Sequence, residues 1–162
     1  MRPSSDENYI EQALVIAKRA TCARRSVACI LVDVHKQILS TGYNGPAAGE
    51  AHCIDHPCAG AHLASGTGLS VCEAIHAEAN ALLQCRDKFA IHTAYVTTPP
   101  CRDCVKLLMN TGCRRIVFVG DYPQMEEARE LWQRNNLEHP LSTIDPTITY
   151  PDKRNREWVR LG

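Results

Sequence analysis

The chain has 162 residues, 44% of them hydrophobic and 22% charged, and its 18 basic and 18 acidic side chains leave no net charge. That size suits one domain whose core needs no disulfide staples, and the composition excludes a disordered or fibrous chain. The charge balance lacks the basic footprint of a polynucleotide binder and the longest apolar stretch, Val27 to Val34, is too short to span a bilayer, so small partners and a cytoplasmic location are expected.

The start, Met1 to Asp6, carries no apolar leader. Ser4-x-x-Glu7 has the pattern of a capping box, and Tyr9, Ile10, Ala13, Leu14 and Ala17 recur at helical spacing, which predicts a first helix to about Ala20. Two β-prone runs, Val27 to Val32 and Gln37 to Thr41, flank a short polar turn and read as a hairpin. From Gly42 to Cys72, Gly, Pro, His and Cys replace any hydrophobic period. An irregular segment of that length is expected to be functional or tied down.

Ile75 to about Cys85 then reads as a helix and Thr93 to Thr98 as a strand, and Pro99-Pro100 precedes a helix from Cys101 to about Asn110. A strand at Arg115 to Val119 and a helix near Gln124 to Asn135 follow. A hairpin followed by alternating helices and strands predicts an α/β sandwich, a mixed central β-sheet flanked by helices, with residues 1–162 as a single domain.

The chemistry is carried by His76-Ala77-Glu78 and, 25 residues after His76, by Pro100-Cys101-Arg102-Asp103-Cys104. One imidazole and two thiolates suit a tetrahedral zinc site with an open fourth position. Cys101 and Cys104 stand three apart at a helix start, so both sulfurs project from one face where the helix dipole favours negative charge. Glu78, two residues from His76, is read as the group that moves protons and not as a fourth ligand. A lone Cys-x-x-Cys would leave open a redox pair or half of a structural zinc site. Joined to His-x-Glu, it matches the signature of zinc deaminases.

The chain resembles the cytidine and deoxycytidylate deaminase family, and within it the deoxycytidylate branch. The resemblance rests on Ser26-Val27-Ala28-Cys29-Ile30-Leu31, Thr41-Gly42-Tyr43-Asn44-Gly45, Ile75-His76-Ala77-Glu78-Ala79-Asn80-Ala81 and Pro99-Pro100-Cys101-Arg102-Asp103-Cys104. It implies a three-layer sandwich and hydrolytic deamination of dCMP to dUMP with release of ammonia. It also implies that Asn44 contacts the sugar, that backbone at Val27 and Ala77 holds the pyrimidine edge, and that Tyr122 lies beside the nucleotide. The competing substrates are dCTP, cytidine, a modified cytosine or an adenine nucleotide. Further off stand a tRNA adenosine deaminase and a non-catalytic zinc module.

A phosphorylated substrate needs cationic donors, for which Arg24, Arg25, Arg102 and Lys106 lie nearest the site elements, and Arg25 is the expected contact. The resemblance further implies a homo-oligomer, by analogy a hexamer, and regulation by dCTP and dTTP. In relatives the effector segment reads Gly-Tyr-Asn-Gly-x-Pro-x-Gly, whereas here Pro46 follows Gly45 directly and Ala47 takes the proline's place. That departure puts the regulation in doubt.

Nine cysteines are many for an intracellular chain. By resemblance, a second, structural zinc would clamp the irregular segment through Cys22 and Cys53, completed by Cys58 and Cys72, with His52, His56 and His62 as substitutes. Cys29, Cys85 and Cys113 lie in or beside regular elements and read as small core residues.

Overall fold

A computed structural model of the chain describes residues 1–134 and 155–162. The first helix, α1 (Ser5–Ala17), starts at the capping box: Glu7 N–H donates to the Ser4 hydroxyl at 3.2 Å and Ser4 N–H to the Glu7 carboxylate at 2.7 Å. It ends short of Ala20 because the amides of Lys18, Arg19 and Ala20 bond three residues back, tightening the last turn out of α-geometry.

The two β-prone runs form the predicted hairpin, β1 (Ala28–Val32) antiparallel to β2 (Ile38–Tyr43), with a bulge between Leu31 and Val32. Then come α2 (Ala77–Gln84), β3 (Thr93–Val96), α3 (Arg102–Met109), β4 (Arg115–Phe118), α4 (Met125–Gln133) and β5 (Glu157–Arg160). The last residue expected of the fourth helix, Asn135, lies outside the described residues. The sheet runs β2-β1-β3-β4-β5, with β1 antiparallel to β3 and with β3, β4 and β5 mutually parallel. The predicted mixed sheet is therefore observed. Its outer parallel strand β5 was not expected from the sequence.

Strand alternation sorts the core into two layers. Ala28, Ile30 and Val32 of β1, Tyr95 of β3 and Val117 of β4 face α1, where they bury Ile10, Ala13 and Ala17. Cys29, Leu31, Val96, Ile116 and Phe118 face the opposite way, under α2, α3 and α4. Cys29 and Cys113 are buried among these apolar neighbours, and Cys85 packs against them from the edge, as their sequence positions imply. No helix among the described residues is long and apolar enough to cross a membrane.

Two close approaches set α2 over the sheet. Gly45 and Ile75 exchange backbone hydrogen bonds at 3.2 and 2.7 Å, closing the irregular segment just before the helix begins. Gly42 of β2 lies so near α2 that a Cβ there would sit 2.4 Å from both the Ala77 carbonyl and the Ala81 nitrogen. Only glycine allows that contact.

Candidate metal centre and substrate cleft

The N-termini of α2 and α3 converge at the carboxyl end of β3, where ligands gather in open α/β sheets. His76 is the N-cap of α2 and Cys101 the N-cap of α3, yet neither side chain caps its own helix. They turn toward each other instead. His76 Nδ1 lies 3.4 Å from Cys101 Sγ and 3.3 Å from Cys104 Sγ, and these are the one set of three candidate ligand atoms within 4.8 Å of one another among the described residues. Ideal tetrahedral zinc with ordinary Zn–S and Zn–N lengths puts sulfur and nitrogen about 3.5 Å apart. The donor set thus fits the metal in both chemistry and spacing.

Charge within the cluster follows from this crowding. Cys101 receives a hydrogen bond from Cys104 and another from His76, and its thiol is held down to about 4. Cys104, which gives that bond, is pushed up and keeps its proton. His76 is raised, first by its bond to the Cys101 thiolate. A divalent cation would replace the protons these groups share.

Glu78, in the first turn of α2, is 4% exposed, and burial pushes its carboxyl above the usual carboxylate range. It lines one cleft together with His76 and Cys101. A group there can exchange protons with a ligand without serving as a fourth metal donor.

The same cleft is lined by every residue expected to touch substrate: Asn44, Val27, Ala77, Arg25 and Tyr122. Their engagements differ. Asn44 is 6% exposed; its side chain accepts from Val27 N–H at 2.8 Å and donates to the Arg25 carbonyl at 3.0 Å, while its backbone N–H donates to the Val27 carbonyl at 3.2 Å. It is a clip that sets the backbone of residues 25–27, with one amide hydrogen and one lone pair to spare. Neither Asn44 nor Gly45 has a positive φ, so the pair is no left-handed turn. Val27 therefore offers the cleft mainly its side chain. Ala77 opens α2, so its N–H has no partner within the helix.

The four candidate cations separate clearly. Arg24 is occupied by backbone carbonyls, Lys106 pairs with Asp103 at 3.1 Å, and Arg102 lines a separate groove along α4. Arg25 lines the cleft, its guanidinium stacked 4.9 Å from the Tyr122 ring centroid and bonded to the Asp121 carbonyl only at 3.5 Å. Of the two arginines that line the cleft, Arg24 and Arg25, the latter has the less engaged donors. Sequence reasoning missed Ser65, Gly66 and Leu69, which also line the cleft. No local pattern marks them, because only long-range contacts bring their segment there.

Of the cysteines outside the core, Cys22 and Cys72 line this cleft, and Cys53 and Cys58 pair with each other. Cys53 and Cys58 sulfurs lie 3.8 Å apart, and the Cys58 thiol is lowered first by the Glu73 backbone N–H and then by Gly60, Cys53 and Cys72. Ile54 N–H donates to the Thr21 carbonyl at 3.1 Å, drawing Cys53 toward Cys22, and Cys22 and Cys72 both line the cleft. His52, His56 and His62, the possible substitutes, are all exposed at the surface of the segment.

Residues 3–120 match the model of the "Cytidine and deoxycytidylate deaminase zinc-binding region". Among similar curated proteins, ComE operon protein 2 of Bacillus subtilis is 34% identical, over 96% of this chain and 79% of its own length. The deoxycytidylate deaminase of Mycobacterium phage D29 is 37% identical, over 72% of this chain and 95% of its own. The deoxycytidylate deaminase of Schizosaccharomyces pombe is 34% identical over 82% of this chain, which spans only 42% of that longer protein. In fold, the chain matches the apo crystal structure of dCMP deaminase from the cyanophage S-TIM5, with a TM-score of 0.60 at 24% identity over 81% of this chain and 94% of that one.

Proposed function

The chain belongs to the cytidine and deoxycytidylate deaminase family, and we propose that its reaction is the zinc-dependent hydrolysis of dCMP to dUMP and ammonia. One observation carries this reading: His76, Cys101 and Cys104 converge beside buried Glu78 in a cleft that also holds the stacked guanidinium of Arg25. Relatives that are named deoxycytidylate deaminases support the choice of substrate.

In this proposal His76, Cys101 and Cys104 hold the metal. Zinc held there would supply Lewis acidity and make the attacking water more acidic. Glu78 takes a proton from the attacking water and gives it to N3 of the cytosine, then passes the next to the departing amino group. C4 gains a bond to oxygen and loses its bond to nitrogen. Burial favours the protonated carboxyl, which suits a group that must carry a proton in mid-cycle. Ala77 N–H and the Val27 side chain flank the base, Asn44 orders the 25–27 backbone and turns its spare amide hydrogen to the sugar, and Arg25, held flat by Tyr122, takes the phosphate.

Further proposals concern the whole protein. Cys22, Cys53, Cys58 and Cys72 would form a structural zinc site, supported by the 3.8 Å separation of Cys53 and Cys58, since an edge of a zinc–thiolate tetrahedron is about 3.8 Å; no three of these sulfurs lie within 4.8 Å of one another, so the metal would have to draw Cys22 and Cys72 inward. The homo-oligomer implied by the family is proposed on resemblance, and the dCTP and dTTP regulation would depend on it. The groove beside the Gly45 to Glu50 segment is lined by Glu50 and His52 and by no Lys or Arg, so a triphosphate bound there needs cations from a partner subunit. A cytoplasmic location accords with nine cysteines that form no disulfide.

The test is ammonia release from dCMP, dCTP, deoxycytidine and deoxyadenosine monophosphate, measured side by side. We expect dCMP to be preferred. Release from the adenine nucleotide alone would overturn the substrate assignment while leaving the metal centre standing.

A further inference from the structure

Between the cysteine cluster and α2 the chain crosses one side of the cleft, where Ser65, Gly66 and Leu69 form part of the wall. This strap has little of its own to hold it. Leu63, Leu69 and Val71 are exposed, so no apolar anchor fastens it. Among the described residues its backbone hydrogen bonds are local turns, Leu63 to Gly60, Thr67 to Ala64 and Val71 to Gly68. A segment with neither buried side chains nor a ladder is expected to open readily.

Arg24 supplies the missing tie. One terminal nitrogen of its guanidinium reaches the carbonyls of Thr67 at 2.9 Å, Ala64 at 3.0 Å and Leu63 at 3.4 Å. Charge-assisted bonds converging on one turn fix its position more strongly than neutral ones. Gly66, at φ +79°, completes the seat: a Cβ there would stand 3.1 Å from the Pro123 ring, so the strap's tip lies against the turn that carries Tyr122. The N–H groups of Ser65 and Gly66 at that tip have no partner among the described residues, and both residues line the same cleft as Arg25.

We propose that Arg24 is a positioning residue, which holds the 63–69 strap so that its Ser65–Gly66 tip, together with Arg25, receives the phosphate end of the nucleotide. The two neighbouring arginines, which line the same cleft, thus divide the work: Arg25 meets the ligand and Arg24 holds the strap. The proposal rests on the nucleotide reading given above.

The experiment compares the parent protein with Arg24→Ala and Arg24→Lys. It measures kcat and KM for dCMP and deoxycytidine, together with amide hydrogen exchange across residues 60–72. For Arg24→Ala we expect KM for dCMP to rise ~10-fold or more while kcat changes by less than about 3-fold, the scale of losing ordered charge-assisted bonds at a binding wall. Deoxycytidine, which has no phosphate, should lose far less. Exchange should quicken in the strap and not in α2 or α3, zinc content should hold, and Arg24→Lys should recover part of the loss. Unchanged exchange would refute the tie, and faster exchange with unchanged KM would refute the wall. If Arg24→Ala does not fold, Arg24→Lys and Arg24→Gln carry the same comparison. Should the parent release no ammonia from dCMP, the nucleotide reading fails by itself, and the same KM and exchange measurements on whichever phosphorylated substrate the panel identifies still decide the role of Arg24.

Discussion

In the proposed reaction a single side chain, Glu78, bears the proton traffic, and its position explains why it was readable in the sequence. Two residues after a helix N-cap, a glutamate enters the cleft beside the N-cap's own side chain without joining its ligand set. Glu78→Gln keeps the shape and removes the base, so kcat for dCMP should fall about 10²- to 10⁴-fold. Zinc content, measured by metal analysis, should stay the same, and a near-normal rate would dismiss the assigned role. Arg25 and Asn44 were less legible. Which arginine is free depends on where Asp121, Tyr122 and the strap lie, and the clip made by Asn44 depends on a strand pairing 17 residues away. Spacing along the chain encodes neither. A second residue-scale test lies across the sheet, where Arg115 grips Asp6 at 2.9 and 3.1 Å and Tyr95 donates to the same carboxylate at 2.8 Å. The Arg115 bonds hold the Asp6 carboxyl below its ordinary 3.8. A folded-state pKa below the unfolded one adds stability that is complete above pH 3.8 and lost as pH falls through the folded value. Asp6→Asn should therefore cost about 1–2 kcal/mol at pH 7, discounted for partial exposure. In urea titrations, the gap from the parent should narrow only below about pH 4.

For the elements, sequence reading did best where hydrophobic period and a cap or proline agreed, as at Ser4 for α1 and Pro99-Pro100 before α3. It failed for β5. Glu157 to Arg160 spans four residues with no alternation, and its placement beside β4 is sealed by distant partners: Trp158 against Phe118, with ring centroids 5.0 Å apart, and Trp132 Nε1 donating to the Glu157 carbonyl at 2.9 Å. The contact between β2 and α2 was hidden for a similar reason, since nothing in the Gly42 dipeptides announces a helix at 2.4 Å from its absent Cβ. Gly42→Ala would force that Cβ into the backbone of α2, costing about 1–3 kcal/mol as overpacking. Because the first turn of α2 carries His76 and Glu78 into the cleft, kcat should fall along with the urea midpoint. A stable variant with normal kcat would mean the helix can retreat without disturbing the centre.

Across the whole molecule, something must order the irregular stretch between Gly45 and Ile75, which contributes to the cleft wall yet buries few side chains. Its composition was legible from the start, but its shape was not, because glycine-rich turns with left-handed Gly49, Gly66 and Gly68 leave no period to read. Cysteines bracket it. Cys53 and Cys58 stand near one end and Cys72 near the other, Gly60 packs directly on Cys72, and Cys22 reaches the same edge from the segment that carries Arg24 and Arg25. A metal shared by the four thiolates would close a loop of 50 residues on itself and remove much of the entropy that otherwise favours its opening. If so, purified protein should contain two equivalents of zinc per chain. Cys53→Ser combined with Cys58→Ser should lower that to one while leaving the zinc held by His76, Cys101 and Cys104 in place. KM should then rise more than kcat falls, because the lost order lies in the wall and not in the reacting groups. One equivalent in the parent, retained unchanged in the double variant, would assign the order of this segment to hydrogen bonds such as those of Arg24 and leave the four cysteines as free thiols.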